Sequence, residues 1–416
     1  MQFGKKTRSL PPPSTNMKST LLSMLCAAAC FAHTAHAQYV EAPFDNEVGK
    51  NQYRAILAPI GIGAGPGSFG VQTGKSLVTL YGSVDLAMNY INAGGKSALR
   101  MQSGNVWTSK LGFYGQEDLG GQTTVFFRLE SGFYANNGAI QSPSSFFNRG
   151  AFVGLQNPRY GQLTLGHQLT SLGIAALGAD TFYVNGHDAI FAFLAGVSDL
   201  GTGATLDALG RVPNTLRYVS PRLDGFNVDV SYSLKSTQTP GPAVHSRSAA
   251  INYVGYGTTA AVSYGQTWCD PGLAGSCTGP ASLAPTIRTD DLIASIVHDF
   301  GPVVGQFAYL RTDPKLAGDG IANLYIGGVQ KMWHGNLLRA SIGYRATTVD
   351  KDYAYGTTLG VDHFLSKRTA LYARVGWLRN GPNSNLTYNF DATSPSTTVS
   401  NGHSISSVTI GMYTNF

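Results

Sequence analysis

The chain has 416 residues, of which 43% are hydrophobic and only 12% charged, with 51 glycines and a formal charge of +6. After the N-terminal region no stretch of roughly 20 residues stays apolar enough for a membrane helix, which excludes a helical membrane protein. No basic run with interleaved aromatics follows either, which excludes a nucleic-acid partner.

The first element in chain order is an address. Lys18, the apolar run 21–32 and the small-residue site Ala35-His36-Ala37 read as a secretory signal peptide over 1–37. Lys5, Lys6, Arg8 and three consecutive prolines sit awkwardly ahead of it, so Met17 is read as the true start. Removing the leader takes away Lys5, Lys6, Arg8 and Lys18 and no acid, leaving 25 basic against 23 acidic residues, a formal charge of +2. Two of the four cysteines leave with it. The others, Cys269 and Cys277 in WCDPGLAGSCTG, enter an oxidising compartment, and a disulfide pinning one loop is expected. No further ligands near them would complete a zinc site, and no cofactor motif is present. GKS at 74–76 lacks the first glycine of a phosphate loop, a position held by Phe69.

Residues 38–75, rich in Gly and Pro, read as a flexible arm. From Leu77 to Phe416 segments of about ten residues alternate in polarity between turn signals. In FNVDVSYSL, Phe226, Val228, Val230, Tyr232 and Leu234 share one face, while Asn227, Asp229, Ser231 and Ser233 share the other. Short turns at 118–121, 157–161, 221–225, 255–257, 300–302, 334–336 and 366–368 alternate with longer loops near 92–101, 135–145, 169–210, 236–246, 269–289, 313–320, 347–353 and 380–403. Fifteen connections imply sixteen strands. Short turns at one rim and long loops at the other are the pattern of a transmembrane antiparallel β-barrel, an all-β fold. A soluble sandwich would also alternate. The strand lengths and the aromatics near strand ends, such as Tyr264, Trp268, Tyr344 and Trp377, favour the barrel.

The stretch 169–210 breaks the rhythm, being too long and apolar for a surface loop and too glycine-rich for one helix. It carries Asp180, Asp188, Asp199 and Asp207, while flanking segments carry Lys110, Arg149, Arg211 and Arg217. This predicts a loop folded into the barrel, narrowing a water-filled pore between an acidic loop and a basic wall.

VTLYGSVD (78–85), SKLGFYGQEDLGG (109–121), FRLESGF (127–133), FNRGAFVGL (147–155) and LSKRTALYARVGW (365–377) resemble, in this order, motifs of the trimeric general porins of the β-proteobacterial outer membrane. The resemblance implies a homotrimer of sixteen-stranded barrels in outer-membrane lipid, each with its third long loop turned inward. It also implies passive diffusion of ions and small hydrophilic solutes, a modest anion preference, Lys110, Arg149 and Arg211 at the constriction, and terminal Phe416 as an assembly signal. The family usually has Arg where Lys110 and His167 stand, and begins its first strand close to the mature terminus, so the arm is a departure.

Parity points Lys110, Arg128, Glu130, Arg217, Arg339 and Arg374 into the lumen. Arg149 shares parity with Ala151, Val153 and Leu155, so only a bulge or a rim position would turn it inward. GxSxG, HExxH and His-carboxylate clusters are missing, and the sequence is not read as an enzyme. The rival is a substrate-specific channel for sugars or small organic acids, with Phe182, Tyr183, Phe191 and Phe193 of the long loop as an aromatic slide.

Overall fold

The computed structural model describes residues 69–73, 76–182, 184, 186, 189–205, 209–235, 243–268, 287–366, 368–388 and 400–416. The leader, most of the expected arm, Cys269, Cys277, Tyr183, Asp188 and Asp207 lie outside the described residues.

In chain order the strands are β1 (Phe69–Thr73), β2 (Ser76–Ala93), β3 (Lys96–Ser103), β4 (Lys110–Gly120), β5 (Thr123–Gly132), β6 (Gly150–Asn157) and β7 (Gly161–Leu169). Two short helices follow, α1 (Ser171–Leu177) and α2 (Ile190–Leu194). Then come β8 (Arg211–Val219), β9 (Phe226–Leu234), β10 (Val244–Gly255), β11 (Thr258–Trp268), β12 (Arg288–Asp299), β13 (Val304–Pro314), β14 (Ala322–Trp333), β15 (Asn336–Thr347), β16 (Tyr353–Phe364), β17 (Thr369–Asn380) and β18 (Ser404–Asn415).

From β4 to β18 each strand pairs antiparallel with the next, and β18 returns to β2 in register from Ile405 opposite Ala93 to Asn415 opposite Ser83. The sheet is therefore a closed barrel. β2 pairs along one edge first with β3 and then with β4, so those two form a single interrupted stave. Counting them once, and setting aside β1, which pairs only with the start of β2, the eighteen strands make a sixteen-stave wall. β1 shows that the end of the segment expected to be a flexible arm is in fact strand. Its five residues continue the β18 edge of β2 beyond Phe416.

Side-chain polarity is inverted relative to a soluble sheet. Along β9, Phe226, Val228, Val230, Tyr232 and Leu234 are exposed and Asn227, Asp229, Ser231 and Ser233 are buried. Exposures of 68% at Leu99, 65% at Ile342 and 63% at Ile410 belong to one continuous outer wall. A soluble sandwich would bury that face; lipid is the solvent that accepts it, and closure leaves no unpaired strand edge there. Twelve residues at about 3.4 Å each, tilted by about 40°, rise about 31 Å, enough for the apolar band of about 25 Å.

Short-turn chemistry explains one rim. Tyr256-Gly257 and His334-Gly335 are two-residue loops with positive φ at both positions, the geometry whose twist matches the flanking strands. The opposite rim departs from expectation at its first connection. Where a loop over 92–101 is expected, β2 turns into β3 at Gly94 and Gly95 alone. The polar residues Asn92, Lys96 and Ser97 suggest a loop in sequence, but they sit in paired strand. The break comes later, between β3 and β4, where residues 104–109 leave the wall and turn inward.

Candidate functional site

Lys110 opens β4 directly after that inward detour. Asp85 of β2 fixes the detour: its Oδ2 accepts the backbone N–H groups of Val106 (2.6 Å) and Trp107 (2.7 Å), and its Oδ1 accepts the Tyr372 hydroxyl (2.6 Å). Trp107 then packs edge-on against Tyr413. With the chain held there, the Lys110 side chain points into the lumen, while Leu111 and Phe113 face outward.

Glu130 of β5 is the centre of the basic wall. Its Oε1 accepts from Arg149 Nε at 2.9 Å, and its Oε2 accepts from the Tyr81 hydroxyl at 2.8 Å and lies 4.0 Å from Lys110 Nζ. Arg128 lies with its guanidinium carbon 5.6 Å from the centre of the Tyr81 ring. Arg211, the first residue of β8, is close enough to act electrostatically on Glu130, Lys110 and Arg149. Four cations thus surround one carboxylate, and the wall stays net positive. Arg149 escapes the parity objection because it sits in the turn just ahead of β6, where its N–H donates to the Glu130 carbonyl (3.0 Å). Off the ladder, its side chain is free to turn inward. His167 is nearby, its Nε2 2.9 Å from the Asn148 carbonyl oxygen.

Arg217 does not join this cluster. It faces the lumen, but its guanidinium is paired with Asp229 of the neighbouring strand, and both side chains are buried. Its charge is neutralised within the wall.

The loop after β7 crosses the lumen and lies along the far wall. Thr170 caps α1 by accepting from Gly173 N, and the Ser171 hydroxyl donates to Asp229 (2.7 Å), which ties the helix to the wall at the Arg217 pair. α1 packs on β9–β12 and α2 on β14–β16. Two wall glycines make the second approach possible: a Cβ on Gly343 would lie 2.5 Å from Ile190 and Leu194, and one on Gly356 would lie 2.9 Å from Phe193. The inward loop is thus as expected.

Its acids are not. Asp180 is fully buried, accepting from Phe182 N (2.8 Å) and Phe191 N (2.6 Å), so it staples one half of the loop to the other. Burial outweighs those two donors and the field of Arg339, pushing the carboxyl up to about 6. Asp199 pairs with Arg345 of β15 at 2.6 Å and accepts from Ser384 at 3.1 Å. Asp352 adds a second carboxylate to Arg345, 3.6 Å away; its burial and the charge of Asp199 raise its pKa. Asp180 and Asp199 therefore anchor the loop and do not face the basic wall. The expectation missed this because an apolar loop buried in the lumen needs its own polar staples.

The aromatics are equally committed. Phe182 lies over the guanidinium groups of Arg339 (5.8 Å) and Arg374 (5.1 Å), which both grip Asp362. Phe191 and Phe193 are buried, and Phe193 meets Tyr388 edge-on at 4.8 Å. Tyr388 belongs to a second segment, 381–388, that also dips inward and buries Ser384 and Leu386. Sequence reading treats it as an ordinary long loop; its one available signal is the pair of large apolar residues, Leu386 and Tyr388, among polar ones. Among the described residues, no group of three or more His, Cys, Asp or Glu could hold a metal, and no helix is long and apolar enough to cross a membrane.

A family model described as Gram-negative porin matches residues 22–383. The chain is 30% identical to outer membrane porin protein 32 of Delftia acidovorans over 76% of this chain and 88% of that protein. It is 26% identical to an outer membrane porin protein of Bordetella pertussis over 76% of this chain and 92% of that protein. Among solved structures, the anion-selective porin from Comamonas acidovorans superposes with a TM-score of 0.72 at 25% identity, covering 82% of this chain and 100% of that one. OmpT of Vibrio cholerae gives 0.59 at 13% identity, covering 83% and 99%, a likeness of fold alone.

Proposed function

Because the chain belongs to the Gram-negative porin family and is an outer-membrane β-barrel, we propose that it works as a homotrimer of water-filled pores that pass ions and small hydrophilic solutes passively, with a modest preference for anions. One observation carries the preference: Lys110, Arg128, Arg149 and Arg211 gather around the single carboxylate of Glu130, while Asp180 and Asp199 of the facing loop are consumed as anchors. An ion at the constriction meets a net positive wall and no compensating charge from those two acids. At physiological salt the screening length is about 8 Å, so charges at a constriction of that order bias passage, whereas charges in wide vestibules are largely screened. The likeness to a porin described as anion-selective supports the same sign. The protein acts as a channel and not as an enzyme. The aromatic-slide reading loses its support, since Phe182, Phe191 and Phe193 are packed away from the water path.

The test is the reversal potential of the purified protein in a planar bilayer under a salt gradient. A potential of the anion-permeable sign supports the reading, and a cation-permeable sign overturns it. Cross-linking in native membranes should give a trimer; monomer alone overturns that part.

A further inference from the structure

Among the described residues, one buried carboxylate stands apart from the others. Glu130, Asp229, Asp352 and Asp362 each meet a guanidinium, and Asp85 and Asp180 each take two backbone N–H groups. Asp291 of β12 has a single hydroxyl: Thr312 of β13 donates to its Oδ1 at 2.8 Å. Its Oδ2 is buried without a hydrogen-bond partner, and so is the hydroxyl oxygen of Thr267 on β11. The charges that act on it, Asp290 and Asp313, are negative as well.

The surroundings are closed and rich in oxygen. By register Thr267 stands opposite Thr289, and Asp291 stands between Gly265 and Thr312, so the lumen face of three adjacent staves sets three hydroxyls around one carboxylate. All four of these polar side chains are at most 2% exposed. The inward loop is the roof. Leu172 of α1 lies over Gly265, where a Cβ would stand 3.0 Å from the leucine Cδ2. Further along, the tail of the loop is tied to Thr289, whose hydroxyl donates to the Gly203 carbonyl (3.2 Å) and accepts from the Thr205 N–H (3.3 Å).

A carboxylate taken out of water without a counter-charge does not persist; it takes up a proton or holds a cation. A proton fits this patch poorly. An O–H on Oδ2 would be a new buried donor, and the other orphaned oxygen, on Thr267, makes no hydrogen bond to it. Thr267 is the diagonal cross-strand neighbour of Asp291, and such positions lie about 7–8 Å apart at the backbone, which suits a bridge better than a direct bond. A cation supplies one, because oxygens bound at about 2.3–2.6 Å stand up to about 5 Å apart across the ion. One carboxylate among neutral hydroxyls matches a single positive charge, whereas a calcium site draws on more carboxylates.

We propose that Asp291, Thr267 and Thr312 hold a monovalent cation of sodium's size beneath the inward loop, fastening its tail to β11–β13. The test compares the full-length protein in detergent, at neutral pH, in sodium chloride and in N-methylglucamine chloride of equal ionic strength. Sodium should raise the unfolding midpoint of the wild type and show a sodium NMR line broadened by exchange with the protein. Asp291→Asn should lose both the excess broadening and the sodium-dependent part of the midpoint, and Thr267→Val should need at least about fivefold more sodium for half the effect. If Asp291→Asn does not fold, Thr267→Val carries the test, and an unchanged sodium requirement there overturns the site. Equal midpoints in the two salts without excess broadening overturn the proposal, as does broadening that survives Asp291→Asn. An Asn variant as stable as the wild type in sodium would mean a neutral carboxyl and would overturn it too. A response to calcium with none to sodium overturns the monovalent assignment.

Discussion

Phe416 lies against Gly82 as the last rung of the ladder that closes the barrel: each backbone N–H donates to the other's carbonyl at 3.0 Å, and the aromatic ring covers the glycine on the outer face. A Cβ on Gly82 would stand 2.4 Å from the ring and 2.6 Å from the Lys110 carbonyl oxygen. Neither the terminal ring nor that backbone has room for it. Gly82→Val should therefore reduce the yield of folded barrel, read as the heat-modifiable band on a gel. Gly327→Ala is the control, since its new Cβ would meet nothing closer than 3.9 Å. Equal yields for the two variants would remove the close fit as a requirement.

Phe416→Asp separates solvation from recognition. A charge near the interface costs only about 0–1 kcal/mol. If insertion falls by more than about fivefold, the ring is read by assembly machinery; normal trimer yield counts against that role, which the family resemblance suggests.

Lys110→Glu and Arg149→Glu should each move the reversal potential towards cations, because both side chains surround Glu130 at the basic wall. Arg217→Met should leave selectivity alone yet destabilise the barrel by about 3–5 kcal/mol, since it strands the buried Asp229 carboxylate. Denaturant unfolding and bilayer recording on the same three proteins check the split. A shifted potential in Arg217→Met with unchanged stability would reverse the assignment.

The loop itself should respond to pH through Asp180. Its carboxyl is held up at about 6, above the usual value near 3.8. The folded loop binds this proton more tightly than the unfolded one, so the contribution is fully present below about pH 4 and is lost as pH rises through about 6. It amounts to on the order of 3 kcal/mol. Current noise from loop motion should be greater at pH 8 than at pH 5, and Asp180→Asn should flatten that difference. Arg345→Ala, which releases Asp199, should raise the noise at both pH values.

Cys269 and Cys277 are proposed to be joined. Mass analysis of the non-reduced protein should show a two-hydrogen deficit, and reduction should leave barrel assembly intact because the span is short and local. Two freely alkylating thiols would refute the bond.

Much of the wall is legible in sequence because a strand between lipid and water repeats every two residues, so Lys110, Arg128 and Glu130 declare their side from their immediate neighbours. What decides the loop is not local. Asp199 reads as a pore acid until Arg345, 146 residues away, is beside it, and Asp180 until the Phe191 N–H is folded onto it. The β2–β3 turn is missed for a different reason: at the rim both faces are wet, so Asn92 to Ser97 lose the alternation that marks a strand. Arg149 is a parity exception because it lies just outside the ladder that enforces parity.

The seam between β2 and β18 also sets an order of events. The Asn89 side chain donates to Ser407 and Thr409, partners 318 and 320 residues further along the chain. Such a contact cannot form while the polypeptide is being made and threaded across the inner membrane, because one side of it does not yet exist there. Until β18 arrives, the nascent sheet carries two raw edges and an apolar face without lipid, the species most prone to pair with other chains. The seam can therefore close only once the last strand is present, and until then the free edges of β2 and β18 are the places where a wrong pairing can start.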